Sequence, residues 1–291
     1  MDEVDVRQRA RKFLAGALAG DMPNMVAYAK AASARIRSEK LDRGEAAFTI
    51  PNPKGAFVIT VNENESEERQ RFSICHEIGH IVLELPTAHV DQRSWSYAKR
   101  HINEIMCDWF ATELLMPYDA FSKRIPSGEP SVQVIESLGE EFGASFPATA
   151  SRYASLAPFP CAYVTMEGGV VRYAAVNTAL RRKGIRVPWK CPIPPGSIAH
   201  KLRAAGSNAT DTGEVAQDVW LENCDAGYDL WELSRHHGDY DETISILWCS
   251  EDDLPQGEVD RFNRRVDDDD GGLEELTGEL SWEKQGPRRR R

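Results

Sequence analysis

The chain has 291 residues, of which 41% are hydrophobic and 28% charged, and its formal net charge is −11. That length allows two domains, or one domain with an extension. The acidic balance excludes a surface built mainly to neutralise phosphates, and no apolar run approaches the roughly 18 residues that a membrane span requires.

The six cysteines, Cys75, Cys107, Cys161, Cys191, Cys224 and Cys249, show no CxxC spacing. They read as reduced thiols of a cytoplasmic protein rather than as a disulfide scaffold. Near the N-terminus RQRARKFLAGALAG imitates a signal peptide, but its apolar part is short and acidic residues precede it. Residues 4–19 and 24–38 read as two helices, with Asp21 as a cap and Pro23 near the first turn of the second. Two β-rich runs follow, 46–50 and 56–61, separated by a Pro/Asn/Gly turn. The second run, Phe57 to Val61, ends just before the next helix, so its edge could take up an extended peptide by strand addition.

Asn64 and Ser66, among acidic residues, mark a helix start, and Pro86 marks its end. Inside lies His76-Glu77-Ile78-Gly79-His80, an HExxH pattern. On a helix the two histidines share one face and can bind one Zn²⁺, while Glu77 lies a quarter turn away, where it can take a proton from water. Ile74, Ile78, Ile81, Val82 and Leu85 form an apolar stripe roughly opposite them. A polar connection, 87–100, carries His89, Trp95 and Tyr97. The stretch NEIMCDWFATELLMP, Asn103 to Pro117, reads as a second helix with Glu104, Asp108, Ala111 and Leu115 on one stripe and Glu113 on the opposite side. That phase selects Glu104 as the third metal ligand and places Asp108 to orient a ligand imidazole. Ala111 would let the two helices approach closely, and Glu113 reads as a surface or salt-bridge residue.

Arg71 to His80 (RxFxxxHEIGH) and Glu104 to Pro117 (ExxxDxFAxELLMP) resemble the ImmA/IrrE-type zinc metallopeptidases, and the ExxxD spacing resembles gluzincins more widely. The resemblance covers roughly residues 45–120. It implies His76, His80 and Glu104 as zinc ligands and Glu77 as general base. Cys107 departs from the alanine more familiar at that place, and a buried thiol of similar size should be tolerated. Tyr97, His101 and Tyr118 are candidates for the oxyanion donor.

Val132 to Leu156 reads as two helices broken at Gly143 to Pro147, with Ser145 as a cap, and looks like the helix-turn-helix-like segment that follows the peptidase motif in this family. Its second helix offers only Arg152 for DNA and its surroundings are acidic, which argues against direct nucleic-acid binding. CAYVTMEGGVVRYAAVN predicts a hairpin turning at Gly168 and Gly169, and further strands are expected at Asp218 to Leu221, Asp229 to Ser234 and Thr243 to Cys249. In some family members a GAF-like sensor domain stands here, with Trp189, Trp220, Trp231 and Trp248 as pocket candidates against the plainer role of core filling. The basic cluster RRKGIR, 181–186, reads as a solvated loop, and the chain ends in an acidic segment finished by four arginines.

The expected fold class is α+β: a gluzincin-like zinc peptidase domain of helices and a short antiparallel sheet over 1–125, a helix-turn-helix-like segment over 126–157, a C-terminal mixed α/β, GAF-like domain over 158–251, and a disordered acidic tail over 252–291. The expected activity is a zinc-dependent cut in a partner protein. The resemblance implies an XRE-type helix-turn-helix repressor as that partner, cleaved in a stress or mobile-element response, with no membrane involved. The rival is a non-proteolytic regulatory or DNA-binding protein that uses the same fold as a docking platform.

Overall fold

The computed structural model describes residues 1–17, 20, 22–42, 44–53, 55–86, 101–224 and 228–255. Two helices open the chain, α1 (Glu3–Ala17) and α2 (Met25–Ala31). The second is short: Asn24 caps it by accepting from the Ala27 N–H, while Asp21 lies outside the described residues. The expected continuation to residue 38 is overturned, because Ser33 adopts φ 54° and the chain runs on as β1 (Ala34–Glu39). Alternating Ala34, Ile36 and Ser38 with charged residues gives that strand its period of two.

β2 (Ala47–Asn52) and β3 (Ala56–Asn62) form a hairpin whose turn needs Gly55 at φ 76°. The sheet order is β1-β3-β2, with β1 parallel and β2 antiparallel to β3. Two expectations are thereby corrected. The sheet is mixed, not antiparallel, and Phe57 to Val61 is the central strand, hydrogen-bonded on both sides. The edge facing the long helices belongs to β2, a displacement that follows from the unexpected pairing of β1.

α3 (Glu67–Leu83) is capped by Ser66, whose hydroxyl accepts from the Arg69 N–H. α4 (Ile102–Leu115) packs along it, and α1 packs on the back of α4 through buried Val6 and Ala10. Gly79 of α3 lies close against α4, where an added Cβ would stand 3.2 Å from the Cys107 Cα. The HEIGH glycine thus contributes to the close packing of the two helices, and Ala111 on α4 is fully buried.

After α5 (Tyr118–Ser122) come α6 (Val132–Phe142) and α7 (Phe146–Leu156), joined through Gly143 in the left-handed conformation with Ser145 at the cap. The Arg71 guanidinium lies directly over Gly143, so a side chain there would have to displace it as well as adopt φ 62°. α7 does not present Arg152: this residue is 3% exposed and its Nη2 bonds Glu113 at 2.8 Å, so the one arginine considered for DNA contact is spent internally.

The C-terminal part holds β4 (Cys161–Glu167), β5 (Val170–Val176), α8 (Thr178–Arg182), α9 (Ile198–Ala205), β6 (Ala209–Ala216), α10 (Gln217–Trp220), β7 (Asp229–His237) and β8 (Glu242–Trp248). Gly168 and Gly169, both at positive φ, turn the β4-β5 hairpin as expected. The sheet is antiparallel in the order β5-β4-β8-β7-β6. Asp218 to Leu221, expected as a strand, lies largely in the short helix α10, and the true edge strand β6 reads ATDTGEVA, too polar to announce itself.

One face of this sheet, with Tyr163, Leu233, Ile246 and Trp248, joins the same apolar core as α3, α4 and α7, while the other closes over Ala162, Val164, Leu230 and Trp220. Buried Glu232 accepts from the Ile198 and Ala199 N–H groups at the start of α9 and from Trp220 Nε1. The four tryptophans do not surround one pocket. Trp231 and Trp248 stack at 6.0 Å on the core face, Trp220 is buried beneath α9, and Trp189 is 51% exposed. Of the tail expected over 252–291, the first residues are corrected to the folded part, since Asp252 and Asp253 lie in a short 3-10 turn and Leu254 is buried in the sheet's second core; residues 256–291 fall outside the described residues. Among the described residues no helix is long and apolar enough to cross a membrane, and all six cysteines are free.

Candidate metal centre

α3 and α4 bring three donors together. His76 Nε2 lies 3.0 Å from Glu104 Oε2 and 3.1 Å from His80 Nε2, and His80 Nε2 lies 3.5 Å from Glu104 Oε1. All three residues are buried, and they form a cluster able to hold a metal ion. Two ligand atoms about 2.0–2.1 Å from a tetrahedral ion stand roughly 3.3 Å apart, so the spacing fits.

The hydrogen bonds around the rings decide what the cluster wants. His76 Nδ1 is 2.9 Å from Asp108 Oδ1, and His80 Nδ1 is 3.1 Å from the Leu85 carbonyl. Both partners are acceptors, so both rings carry their proton on Nδ1 and present lone pairs at Nε2. Two imidazole lone pairs and a carboxylate therefore converge in a buried space, an arrangement that only a cation or an added proton relieves.

The Leu85 contact depends on a local device. Glu84 caps α3 in the left-handed conformation at φ 55°, and the chain folds back so that the Leu85 N–H donates to the His80 carbonyl while its own carbonyl receives the His80 ring. Such a conformation costs a non-glycine residue roughly 1–2 kcal/mol.

Glu77 is 1% exposed and sits beside the triad, accepting a 2.6 Å hydrogen bond from Thr49 Oγ1 on the edge strand β2. Thr49 carried no signal in the sequence, since AAFTIPNP reads only as a strand and a turn. Of the oxyanion-donor candidates, Tyr97 lies outside the described residues, as do His89 and Trp95. His101 caps α4, its Nδ1 accepting from the Asn103 N–H. Tyr118 stands beyond the end of α4 opposite to Glu104, at the start of α5, and its ring lies under Arg11. Glu113 is no surface residue. It is fully buried and meets Arg152, Arg11 and Arg7; burial opposes its charge, but Arg152, the Arg11 hydrogen bond and the Tyr118 N–H outweigh it and hold the carboxyl below the usual range.

Burial, the largest influence, opposes a charge on His76, but the hydrogen bonds of Asp108 and Glu104 and the charges of Asp108 and Glu77 outweigh it and raise the imidazole to about 9. In the metal-free protein this proton contributes stability that is complete below the ordinary histidine value and is lost as pH rises through about 9. A metal must displace it. Metal affinity is therefore expected to climb about tenfold per pH unit towards about 9 and then level off, which chelator competition at stepped pH measures. A flat profile would contradict the assignment of the proton.

The family model described as Peptidase_M78, IrrE N-terminal-like domain, matches residues 29–153, which include both metal helices. A solved structure of a Mycobacterium tuberculosis transcriptional regulator is similar in fold, with a TM-score of 0.56 and 14% sequence identity, covering 84% of this chain and 76% of that one. That coverage is too large to be residues 29–153 alone, so the likeness takes in the C-terminal sheet. No curated protein sequence matches the chain.

Proposed function

We propose that the chain is a zinc-dependent endopeptidase that makes a specific cut in a partner protein, an XRE-type helix-turn-helix repressor, a reading supported by the match of residues 29–153 to the IrrE N-terminal-like model of a metallopeptidase family. The observation that carries this reading is the buried His76, His80, Glu104 cluster with Glu77 beside it. When bound, zinc would supply Lewis acidity, making a water nucleophilic near neutral pH and polarising a peptide carbonyl. The chain's own residues do the rest. His76, His80 and Glu104 would hold the ion, with Asp108 and the Leu85 carbonyl fixing the two rings in the ligating tautomer. Glu77, oriented by Thr49, accepts the proton of the attacking water and returns it to the leaving amine.

Thr49 lies on the edge strand β2, so an extended segment pairing with that edge would run past Glu77. This geometry favours one loop of a folded partner over general proteolysis. A docking platform without proteolysis would have no use for a buried carboxylate at Glu77, whose desolvation is costly. The test is incubation of the zinc-loaded protein with purified XRE-type helix-turn-helix repressors from the same genome. A single cut is expected; an intact repressor with metal still bound would overturn the reading.

A further inference from the structure

A polar crevice of about 320 Å³ opens between α1, α5, α7 and α8, remote from the metal centre. Arg7, Arg11 and Arg152 line it, with Tyr118, Ser155 and Thr178. Three guanidinium groups thus converge on a protein whose formal charge is −11.

Their partners do not balance them. Glu113 takes Arg152 at 2.8 Å, Arg11 at 2.9 Å and Arg7 at 3.4 Å, and Glu3 takes Arg7 at 2.8 Å. Two carboxylates stand against three cations, which leaves a net positive charge in the crevice. Burial, followed by the like charge of Arg7 and Arg11, pushes the Arg152 guanidinium below its ordinary value against the pull of Glu113. Arg152 is fixed from the other side by a 3.0 Å bond from its Nε to the Met116 carbonyl. Arg11 gives only its Nε to Glu113, lies over the Tyr118 ring at 4.7 Å, and keeps 47% of its side-chain surface exposed. It is a guanidinium already held in place, with its terminal nitrogens left for another acceptor.

We propose that this crevice binds a small phosphate-bearing anion, with Arg7 and Arg11 as the charged wall and the Ser155 and Thr178 hydroxyls at the rim. Guanidinium forks match phosphate oxygens in pairs, and the hydroxyls supply further donors. The volume lies at the lower end of small-molecule pockets, which suits a phosphorylated metabolite or a mononucleotide and not a polymer. The site is separate from the metal: Glu113 follows Glu104 by nine residues, about 13 Å along α4.

Calorimetric titration of the full chain at low ionic strength, zinc-loaded for wild type and crevice variants and zinc-depleted for His80→Ala, with inorganic pyrophosphate and with adenosine monophosphate, tests this. Saturable binding of one equivalent is expected with at least one probe, persisting in His80→Ala and weakened at least tenfold in Arg11→Gln. Thr178→Glu, at the exposed rim, should weaken it likewise and serves if Arg11→Gln folds poorly. Absence of saturable binding of both probes, binding lost in His80→Ala, or an affinity unmoved by the crevice substitutions would overturn the proposal.

Discussion

Glu77→Gln is expected to lower the rate of repressor cleavage by roughly 10²–10⁴-fold while leaving the metal in place. The side chain lies beside the ligands but is not one of them, and its Oε2 is held at 2.6 Å by the Thr49 hydroxyl. Glutamine keeps the shape and can still meet Thr49, but it has no basic oxygen to accept a proton from water. The expected result is therefore a separation of two readouts, metal content unchanged and turnover nearly abolished. Loss of both together would mean that Glu77 supports the site structurally. Unchanged cleavage would remove it from the chemistry altogether.

The second large effect concerns stability. Glu113→Ala is expected to destabilise the fold by about 3–5 kcal/mol, because it leaves Arg152 as an uncompensated buried charge. Both side chains are almost completely buried, at 0% and 2% exposure, so solvent cannot take over the role of the missing carboxylate. Glu113 also accepts from the Tyr118 N–H, which ties α5 to the end of α4. Denaturant unfolding of the purified variant measures the loss, and a change below about 1 kcal/mol would contradict the buried-pair account. Replacing Glu113 and Arg152 together by apolar residues of similar volume should recover much of the stability, since the penalty lies in the unpaired charge and not in the absence of the bridge.

The metal cluster was legible because helical phase is a strong constraint. Four-residue spacing fixed His76 with His80, and the same arithmetic on the second helix chose Glu104 and Asp108 over Glu113. What phase cannot show is depth. Glu113 pointed away from the metal as expected, yet that direction leads into a second packed layer, α1 and α7, and not to solvent. Arg152 escaped recognition as a buried residue for the same reason: arginine is seldom inside unless its partner is there, and the partner lies 39 residues away.

Contacts across separate elements were also invisible in one dimension. Thr49 reaches Glu77 from β2, which is left as the free edge because β1 covers the other side of β3, and β1 follows α2 after a two-residue break that reads as a continuing helix. The Leu85 carbonyl meets His80 only because Glu84 turns left-handed where glycine would be the usual signal. In the C-terminal sheet, the β4-β5 hairpin announced itself through Gly168 and Gly169, whereas β6 is an exposed edge with no apolar alternation to read. The sequence reading placed a small-residue contact between the metal helices at Ala111, and the structure adds one at Gly79 against Cys107.

Metal binding by Glu104→Ala, compared with wild type and His80→Ala at matched free zinc, tests the central claim most directly. Wild type should hold about one equivalent of zinc, and both variants should lose most of it, because a structural or catalytic ion needs at least three protein ligands. Zinc bound by Glu104→Ala as tightly as by wild type would contradict the two-helix site.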